Sequence, residues 1–370
     1  MTPGDGRVTG ALRARYAGRP TGQNAAMPWP FPTPTPTLTR RRALAGALLA
    51  PLAGRGFAQA GATWRVGPAE SITRVADAIR RAADGDTIEV LEGTYRGDVA
   101  LALIPQRRLR IVGIGTRPVL FADGRHIEGK AIWVVRNGDV QIENIAFLGA
   151  RVPDGNGAGI RFEKGHLRLR HCEFTDNENG VLTGNDPDSA LDIVDCEFAT
   201  AVPPPTQLPH LLYVGRIARL TVSGSLFRQG REGNLLKSRA RQATIVGNRL
   251  DDGRDGRASY EIDLPNGGIA LIERNTLVQS PLTENAVMVS YGAEGQPWDE
   301  NRLVVRDNTF INHRAAGGSF VRVWANRLPP GTPVLSSGNR LLGRGSLELG
   351  PHGQSVDDQR GPVPTHRPAN

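Results

Sequence analysis

A short motif recurs along the chain and restricts the fold more than any other feature of the sequence. It has the general form apolar-x-polar-(Asn, Cys or Ser)-x-apolar, and its eight copies end at Phe147, Phe174, Phe198, Phe227, Leu250, Leu277, Phe310 and Leu341. Successive ends lie between 23 residues (Phe227 to Leu250) and 33 residues (Leu277 to Phe310) apart. Apolar residues alternate within each copy, as they do in a strand with one buried face.

Repeats of this length, built from short strands without a helical pattern, favour an all-β parallel solenoid. A single turn cannot bury its inner face, so stacked turns must share one core. The recurrent Asn before the last apolar residue predicts amide side chains that stack from turn to turn. A β-sandwich would show shorter, more even spacings and hairpin turns.

The start of the repeat region predicts a cap for the solenoid. Ile72, Val75 and Ile79 have helical spacing and are followed by Gly85 and a strand-like segment. A short amphipathic helix at this position would cover the open edge of the first turn. We therefore predict a short N-terminal capping helix.

The excess of positive charge lies at the N-terminus. The chain has a net charge of +8 from 45 basic and 37 acidic residues, but residues 1–60 hold eight arginines and a single acid, Asp5. Residues 61–370 therefore carry 37 basic (45 − 8) and 36 acidic (37 − 1) groups. A nearly neutral body lacks the global positive field of a nucleic-acid-binding protein, so no nucleic-acid partner is predicted.

Residues 38–60 have the layout of an export signal. Arginines 40–42 precede a modest apolar run, and the segment ends in the small-residue pattern Ala58-Gln59-Ala60. This pattern predicts a twin-arginine-type signal peptide cleaved after Ala60, and hence a periplasmic or secreted protein. The alternative is an arginine-rich disordered N-terminus. The apolar run is too short for a stable membrane span.

The domain organisation follows from these patterns. We predict four segments and a monomer: a disordered extension (1–37), the signal peptide (38–60), the β-helix domain (61–345) and a disordered tail (346–370). Cys172 and Cys196 occupy equivalent positions in neighbouring repeats, which predicts stacked core thiols or, alternatively, a strained disulfide.

A polar strip is predicted on the outside of one strand per turn. If Leu236 and Ser238 face inward, Lys237 and Arg239 face outward. The same alternation in other turns extends the strip by five residues: Tyr213, Glu261, Asp263, Arg322 and Trp324. His210 and Tyr260 lie at its margins. Charged solenoid exteriors are common, and surface ion pairs contribute little to stability. Residues 259–268 and 289–295, however, leave the repeat for Gly-rich turns that are placed to wall a groove.

The first strands and the repeat resemble a known superfamily. The run GDTIEVLEGTYRG (85–97) and the ladder from 142 to 341 are similar to the pectate-lyase-like proteins. The resemblance covers most of residues 64–345 and implies a right-handed, single-stranded parallel β-helix. That superfamily includes lyases, hydrolases, esterases, epimerases and non-enzymatic adhesins, so the fold alone does not specify a reaction.

A local resemblance suggests a reaction. Lys237-Ser238, with Glu232 five residues upstream, resembles the chondroitinase-B-type and alginate lyases of this fold, in which the Lys supplies the base and the Glu binds a metal. Their arginine in the next turn is missing here, and Arg239 or Arg241 would have to replace it. Elimination on a uronate requires a neutralised carboxylate, a base and help for the leaving oxygen.

The predicted roles fall into three sets. The catalytic set, in which Lys237 is the base and Arg239 neutralises the carboxylate, is Lys237, Arg239, Tyr213 and Tyr260. The substrate-binding set is His210, Arg241, Asn266, Arg322 and Trp324. The set predicted to bind Ca²⁺, which is the only cofactor expected, is Glu232, Glu261 and Asp263.

We therefore predict an exported protein that acts on an acidic, uronate-containing polysaccharide by β-elimination. A non-catalytic glycan-binding solenoid is the alternative from another class. A uronate epimerase and a glycoside hydrolase are the enzymatic alternatives. For the hydrolase, Glu261 and Asp263 would form the carboxylate pair, because residues two apart share one face of a strand.

Overall fold

The computed structural model describes residues 61–200, 208–283 and 285–364. Complete turns of this part of the chain contribute one strand to each of three sheets, A, B and C, and incomplete turns at its ends bring the sheets to 12, 11 and 10 strands. Every strand pairs in parallel with its equivalents in the neighbouring turns. The predicted all-β parallel solenoid is confirmed, with about ten turns.

The strand bounds follow the repeat. Sheet A contains Thr63–Val66, Thr87–Leu91, Arg108–Ile114, Asp139–Glu143, His166–Arg170, Ala190–Val194, Arg219–Ser223, Gln242–Val246, Ile269–Glu273, Arg302–Arg306, Val334–Ser337 and Gly353–Val356. Sheet B contains Thr94–Arg96, Val119–Phe121, Ala146–Leu148, Glu173–Thr175, Glu197–Ala199, Leu226–Arg228, Arg249–Asp251, Thr276–Gln279, Thr309–Asn312, Arg340–Gly343 and Gln359–Gly361. Sheet C contains Ala102–Ile104, Ala131–Val135, Ala158–Phe162, Asn179–Thr183, Leu212–Val214, Leu236–Ser238, Ile262–Leu264, Val287–Tyr291, Ser319–Val323 and Ser346–Glu348.

The predicted capping helix is present at Val75–Arg81. Its apolar face, which includes Val75 and Ile79, is buried in the main core. Gln106 ties the end of the helix to the first turns, because its Nε2 donates to the carbonyl oxygen of Ile79 at 2.6 Å. Two short 3₁₀ helices, Gly97–Val99 and Ala325–Arg327, complete the described helices. No helix in residues 61–200, 208–283 or 285–364 is long and apolar enough to cross a membrane.

The motif residues that close each repeat form the centre of the core. The rings of Phe147, Phe174, Phe198 and Phe227 stack nearly parallel, with centroids 4.8 to 5.1 Å apart. All four are buried, as are the aliphatic residues that continue the row in later turns. The register of the motif strands must therefore be kept while the connecting loops vary in length, since each side chain of the row must lie over its equivalent in the next turn.

Side chains at the corner between sheets A and B form the predicted ladder. At each step a backbone N–H of one turn donates to the side chain of the next, at 2.8 to 2.9 Å for the steps Ser225–Asn248–Asn275–Asn308–Asn339–Asp358. The residue before each ladder position has a positive φ, for example +67° at Gly247. This tight corner would otherwise leave buried N–H groups without acceptors, so the ladder residues satisfy the backbone where the chain turns.

The two cysteines begin the same ladder. The backbone N–H of Cys172 lies 3.4 Å from the Sγ of Cys196, and both thiols are buried and free. Cys196 in turn donates its backbone N–H to Ser225 Oγ at 3.1 Å. The structure therefore has stacked thiols at these positions rather than a disulfide.

The solenoid extends beyond the predicted end of the domain. Three further strands, one in each sheet, follow residue 345. The prediction that a disordered tail covers 346–370 therefore places its start too early in the chain. Two inward positions of the last turn hold polar residues. Ser355 is in register with Ser336 of the preceding turn, and Arg360 is in register with Leu341. The predicted extension and signal peptide (1–60) and residues 365–370 lie outside the described residues.

The ladder predicts a large stability cost for a small change. Asn275→Ala removes hydrogen bonds to Asn248, Ile245 and Asn308 and leaves buried polar groups without partners. We expect the free energy of unfolding to fall by about 2–4 kcal/mol, measured by urea denaturation. The exposed control Gln242→Ala, one strand away, is expected to change it by less than about 0.5 kcal/mol. An equal, small effect of both substitutions would contradict the role of the ladder.

Candidate functional site

The outer face of sheet C carries the predicted polar strip. Tyr213, Lys237 and Asp263 are in register in three successive turns. Leu236 and Ser238 on either side of Lys237 are buried inside the solenoid, whereas Lys237 is partly exposed. The alternation used in the sequence analysis is therefore correct for this strand.

Lys237 and Arg239 hold one carboxylate between them. Lys237 Nζ lies 2.7 Å from Oε1 of Glu294, and Arg239 Nη2 lies 2.5 Å from Oε2. Burial alone would raise the pKa of Glu294, but the hydrogen bonds from these two cations lower it. Glu294 is thus an ionised carboxylate held between a cation on the strand Leu236–Ser238 and a cation that directly follows this strand. We call Lys237 and Arg239 the cation fork.

Two further groups fix the position of Arg239. Its Nε donates to the hydroxyl oxygen of Tyr213 at 3.2 Å, and its Nη1 donates to Oδ1 of Asn266 at 2.8 Å. The guanidinium therefore has a defined orientation before any ligand arrives, which reduces the entropy cost of binding. Tyr213 and Asn266, both predicted site residues, belong to the same cluster.

The segment 292–301, which we call the strap, brings Glu294 back over earlier turns. It leaves the strand Val287–Tyr291 at Gly292, where φ is +84°. Trp298 Nε1 then donates to the carbonyl oxygen of Arg239, two turns back, at 3.0 Å. The guanidinium of Arg216, three turns back, stacks on the Trp298 ring at 4.1 Å. The strap therefore covers part of the outer face of sheet C.

Asp263 lies beneath the exposed part of the cluster. Its Oδ2 is 3.5 Å from Lys237 Nζ and accepts a hydrogen bond from Asn234 Nδ2 at 3.2 Å. Burial raises the pKa of Asp263 to about 6, although the charge of Lys237 opposes this shift. Asp263 therefore points outward from the sheet, as predicted, but is covered rather than open to solvent.

His210 is a buried neutral neighbour of the cluster. Its Nδ1 accepts the backbone N–H of Asn234 at 2.8 Å, and its ring packs edge-on against Tyr213 with centroids 5.2 Å apart. Burial, with the nearby charges of Lys237 and Arg239, lowers the pKa of His210 to about 3. It therefore supports Tyr213 instead of offering a positive charge to an anionic ligand.

Glu261 is not part of this face, and its predicted outward orientation is wrong. It precedes the strand Ile262–Leu264 and is fully buried, next to Leu235 and Met288 of neighbouring turns. Neither carboxyl oxygen has a hydrogen-bond partner among the described residues. Burial, reinforced by the charge of Asp252, raises the pKa of Glu261 well above its usual range. Glu261 and Asp263 therefore do not form the shared-face pair that hydrolysis would require.

Asp252 is a second buried acid in the same region. Its two carboxyl oxygens accept the backbone N–H groups of Gly230 and Ala258, each at 2.8 Å. Burial raises the pKa of Asp252 to about 7 despite these hydrogen bonds. The interior of these turns therefore carries two carboxyl groups whose pKa values are raised by burial.

The three predicted calcium ligands are not brought together. Glu232 is exposed in the turn before the strand Leu236–Ser238, Glu261 is inside the solenoid, and Asp263 is paired with Lys237. In the described ranges, no group of three His, Cys, Asp or Glu side chains could hold a metal ion. These residues do not fit a calcium site, and no step of the proposals below depends on a metal.

The remaining predicted residues lie outside the cation fork. Arg322 forms a two-point ion pair with Glu348 at 2.6 and 2.8 Å, and Trp324 lies beside it, 5.6 Å from the guanidinium. Tyr260 is half-buried near Arg322. Arg241 is exposed on the turn that follows the strand of the fork. Glu294 is not among the residues predicted from the sequence, although the break in the repeat at 289–295 indicated an unusual turn.

Comparison with known proteins adds little to this description. No protein family matches the chain, and no curated protein matches it. Among solved structures, ORF18 of Geobacillus virus E2 matches with a TM-score of 0.43 and 14% sequence identity. The match covers 78% of this chain and 56% of the viral one, so the chain spans little more than half of that protein.

The buried Glu261 predicts a pH-dependent stability difference. The unfolded chain ionises this group near pH 4.5, whereas the folded chain does so only at higher pH, so raising the pH favours unfolding. We expect Glu261→Gln, which mimics the protonated acid, to be more stable than the wild type by at least about 1 kcal/mol at pH 8. At pH 4 the difference should vanish.

Urea denaturation across this pH range measures the difference. Glu261→Met, which matches its neighbour Met288, should also stabilise the protein at pH 8, since replacing a buried polar group by an apolar one of similar volume is often favourable. The exposed control Glu232→Gln should follow the wild type at every pH. A constant difference between Glu261→Gln and the wild type would show that this carboxyl does not titrate with a raised pKa.

Proposed function

We propose that this protein binds an acidic, uronate-containing polysaccharide on the outer face of sheet C. The observation that carries the proposal is the cation fork, in which Lys237 and Arg239 take the two oxygens of one carboxylate at 2.7 and 2.5 Å. Charge-assisted pairs of this kind are among the stronger polar contacts in proteins. Each uronate sugar of such a polymer presents a planar carboxylate of the same kind.

The surroundings of the fork suit a sugar chain. The ring of Tyr213 lies 5.8 Å from Lys237 Nζ and 5.9 Å from the Arg239 guanidinium, so an aromatic surface adjoins the two charges. Asn266 accepts a hydrogen bond from the Arg239 guanidinium at 2.8 Å, so this cation is already oriented before a sugar carboxylate binds. The long outer face of a solenoid also offers a continuous surface to an extended polymer.

Cleavage by β-elimination is the second candidate, and the position of Tyr213 favours it. Elimination removes the C5 proton of a uronate, passes the electron pair into a C4–C5 double bond and expels the C4 oxygen, which takes up a proton. The Tyr213 hydroxyl is 3.2 Å from Nε of Arg239, so a proton-transfer group stands beside the cation that would neutralise the carboxylate. Lys237, the predicted base, is already paired with Glu294 and Asp263, so Tyr213 is the better candidate for proton transfer.

The proposal also includes export of the protein. The arginines and the small-residue ending of 38–60 support a twin-arginine-type signal peptide, and extracellular polysaccharide would be met outside the cytoplasm. The nearly neutral repeat domain suits a local anion site better than a general polyanion-binding surface.

Binding of polyuronates by variants of the full chain tests the proposal. We expect Lys237→Met and Arg239→Met each to weaken the affinity for polygalacturonate or alginate by about tenfold to a hundredfold, because a charge-assisted contact is lost. Isothermal titration calorimetry measures the affinity. Arg254→Met is the matched control, since Arg254 is an exposed cation in the turn after the strand Arg249–Asp251 of sheet B, and it should have little effect. An absence of polyuronate binding by the wild type, or an equal loss in all three variants, would reject the proposed site.

The reaction is tested on the same substrates. An elimination produces an unsaturated uronide that absorbs in the ultraviolet, and Tyr213→Phe should abolish this signal while polyuronate still binds. New reducing ends without the absorbance would point to hydrolysis instead. Binding without either product would leave a glycan-binding solenoid.

A further inference from the structure

We infer that Glu294 is the resident occupant of a carboxylate subsite, and that a uronate binds at the cation fork by displacing it. The inference rests on the proposed function and specifies how the proposed ligand gains access. In the free protein the strap supplies the carboxylate that the ligand supplies in the complex. Ligand binding is then coupled to rotation of the Glu294 side chain away from the cation fork.

The geometry of the cation fork fits a single planar carboxylate group as its ligand. Each cation binds a different oxygen of Glu294, and both oxygens are used. Lys237 lies on the strand Leu236–Ser238, and Arg239 directly follows that strand, where its backbone N–H donates to the carbonyl oxygen of Val214 in the preceding turn at 2.9 Å. The backbone is therefore held at both residues, which limits the separation of the two cations. A rigid spacing that matches the two oxygens of a carboxylate is a specific feature of this site.

Exposure shows which of the three partners can leave. The side chains of Lys237 and Arg239 are 13% and 19% exposed, whereas that of Glu294 is 43% exposed. The cations therefore belong to the covered surface of the sheet, and the carboxylate lies over them on the solvent side. A ligand carboxylate that arrives from solvent meets Glu294 first. Once the Glu294 side chain has moved away, the ligand takes over its two contacts, one with Lys237 and one with Arg239.

The strap does not depend on Glu294 for its attachment. Asn266 Nδ2 donates to the carbonyl oxygen of Gly295 at 2.7 Å, and the backbone N–H of Trp298 donates to the carbonyl oxygen of Asn266 at 3.2 Å. Trp298 is also held by Arg216 and by the carbonyl oxygen of Arg239. Residue 294 can therefore change its side chain while the neighbouring residues stay attached.

A tethered carboxylate competes strongly with a free one. Glu294 is present at a high effective concentration because it belongs to the same chain. The apparent affinity for a ligand is then reduced by the fraction of molecules in which the fork is open. The structure thus predicts a binding site that is weaker than its contacts would allow, and that gains affinity when Glu294 is neutralised.

Affinity measurements on the full chain test the competition. Glu294→Gln should raise the affinity for short oligogalacturonates or oligomannuronates by roughly tenfold or more. Glu300→Gln removes the same charge from an exposed position of the same strap and should stay within about twofold of the wild type. Unchanged or weaker binding by Glu294→Gln, with binding retained by the wild type, would overturn the inference while leaving the proposed function in place.

Acetate tests the subsite without any sugar. Glu294→Ala leaves the fork without its carboxylate, so acetate should raise the thermal unfolding midpoint of this variant relative to chloride at equal pH and ionic strength. The wild type and Glu300→Ala should show no such difference. An acetate effect without oligouronate binding would support the carboxylate subsite and reject the glycan. No acetate effect on Glu294→Ala would overturn the subsite.

Discussion

The ladder of side chains at the corner between sheets A and B is the interaction on which the rest of the structure depends. From Cys172 to Asp358, a buried N–H of each turn is accepted by the side chain of the next turn. The corner is tight and buried, so an error in register would leave several of these groups without partners. The stacked rings of the core impose the same register through packing.

Fixed register gives the outer face of sheet C its chemistry. Because successive turns pair without slippage there, residues far apart in sequence, Tyr213, Lys237 and Asp263, occupy one row. Sheet pairing fixes Lys237 in this row. Arg239 follows the strand, and the hydroxyl of Tyr213 and the amide of Asn266 orient its guanidinium. The strap departs from the repeat and brings Glu294, the carboxylate that bridges the cation fork.

The sequence predicts those features of the structure that follow from the periodicity of its repeat. Alternation places Lys237 outward and Ser238 inward, and the recurrent Asn indicates the ladder. Alternation fails at Glu261, because this residue lies in a corner before its strand, where the chain turns inward and consecutive residues both face the core. Glu294 could not be predicted, since its contact with Arg239 spans 55 residues and depends on how the strap folds back. The final turn was missed because polar residues take the inward positions.

The most direct test of the central claim is a crystal structure of the full chain with a bound oligouronate. The account predicts that a uronate carboxylate lies between Lys237 Nζ and Arg239 Nη2, with the Glu294 side chain turned away and Trp298 still against Arg216. A sugar bound on another face, or a cation fork still occupied by Glu294 in the complex, would contradict it.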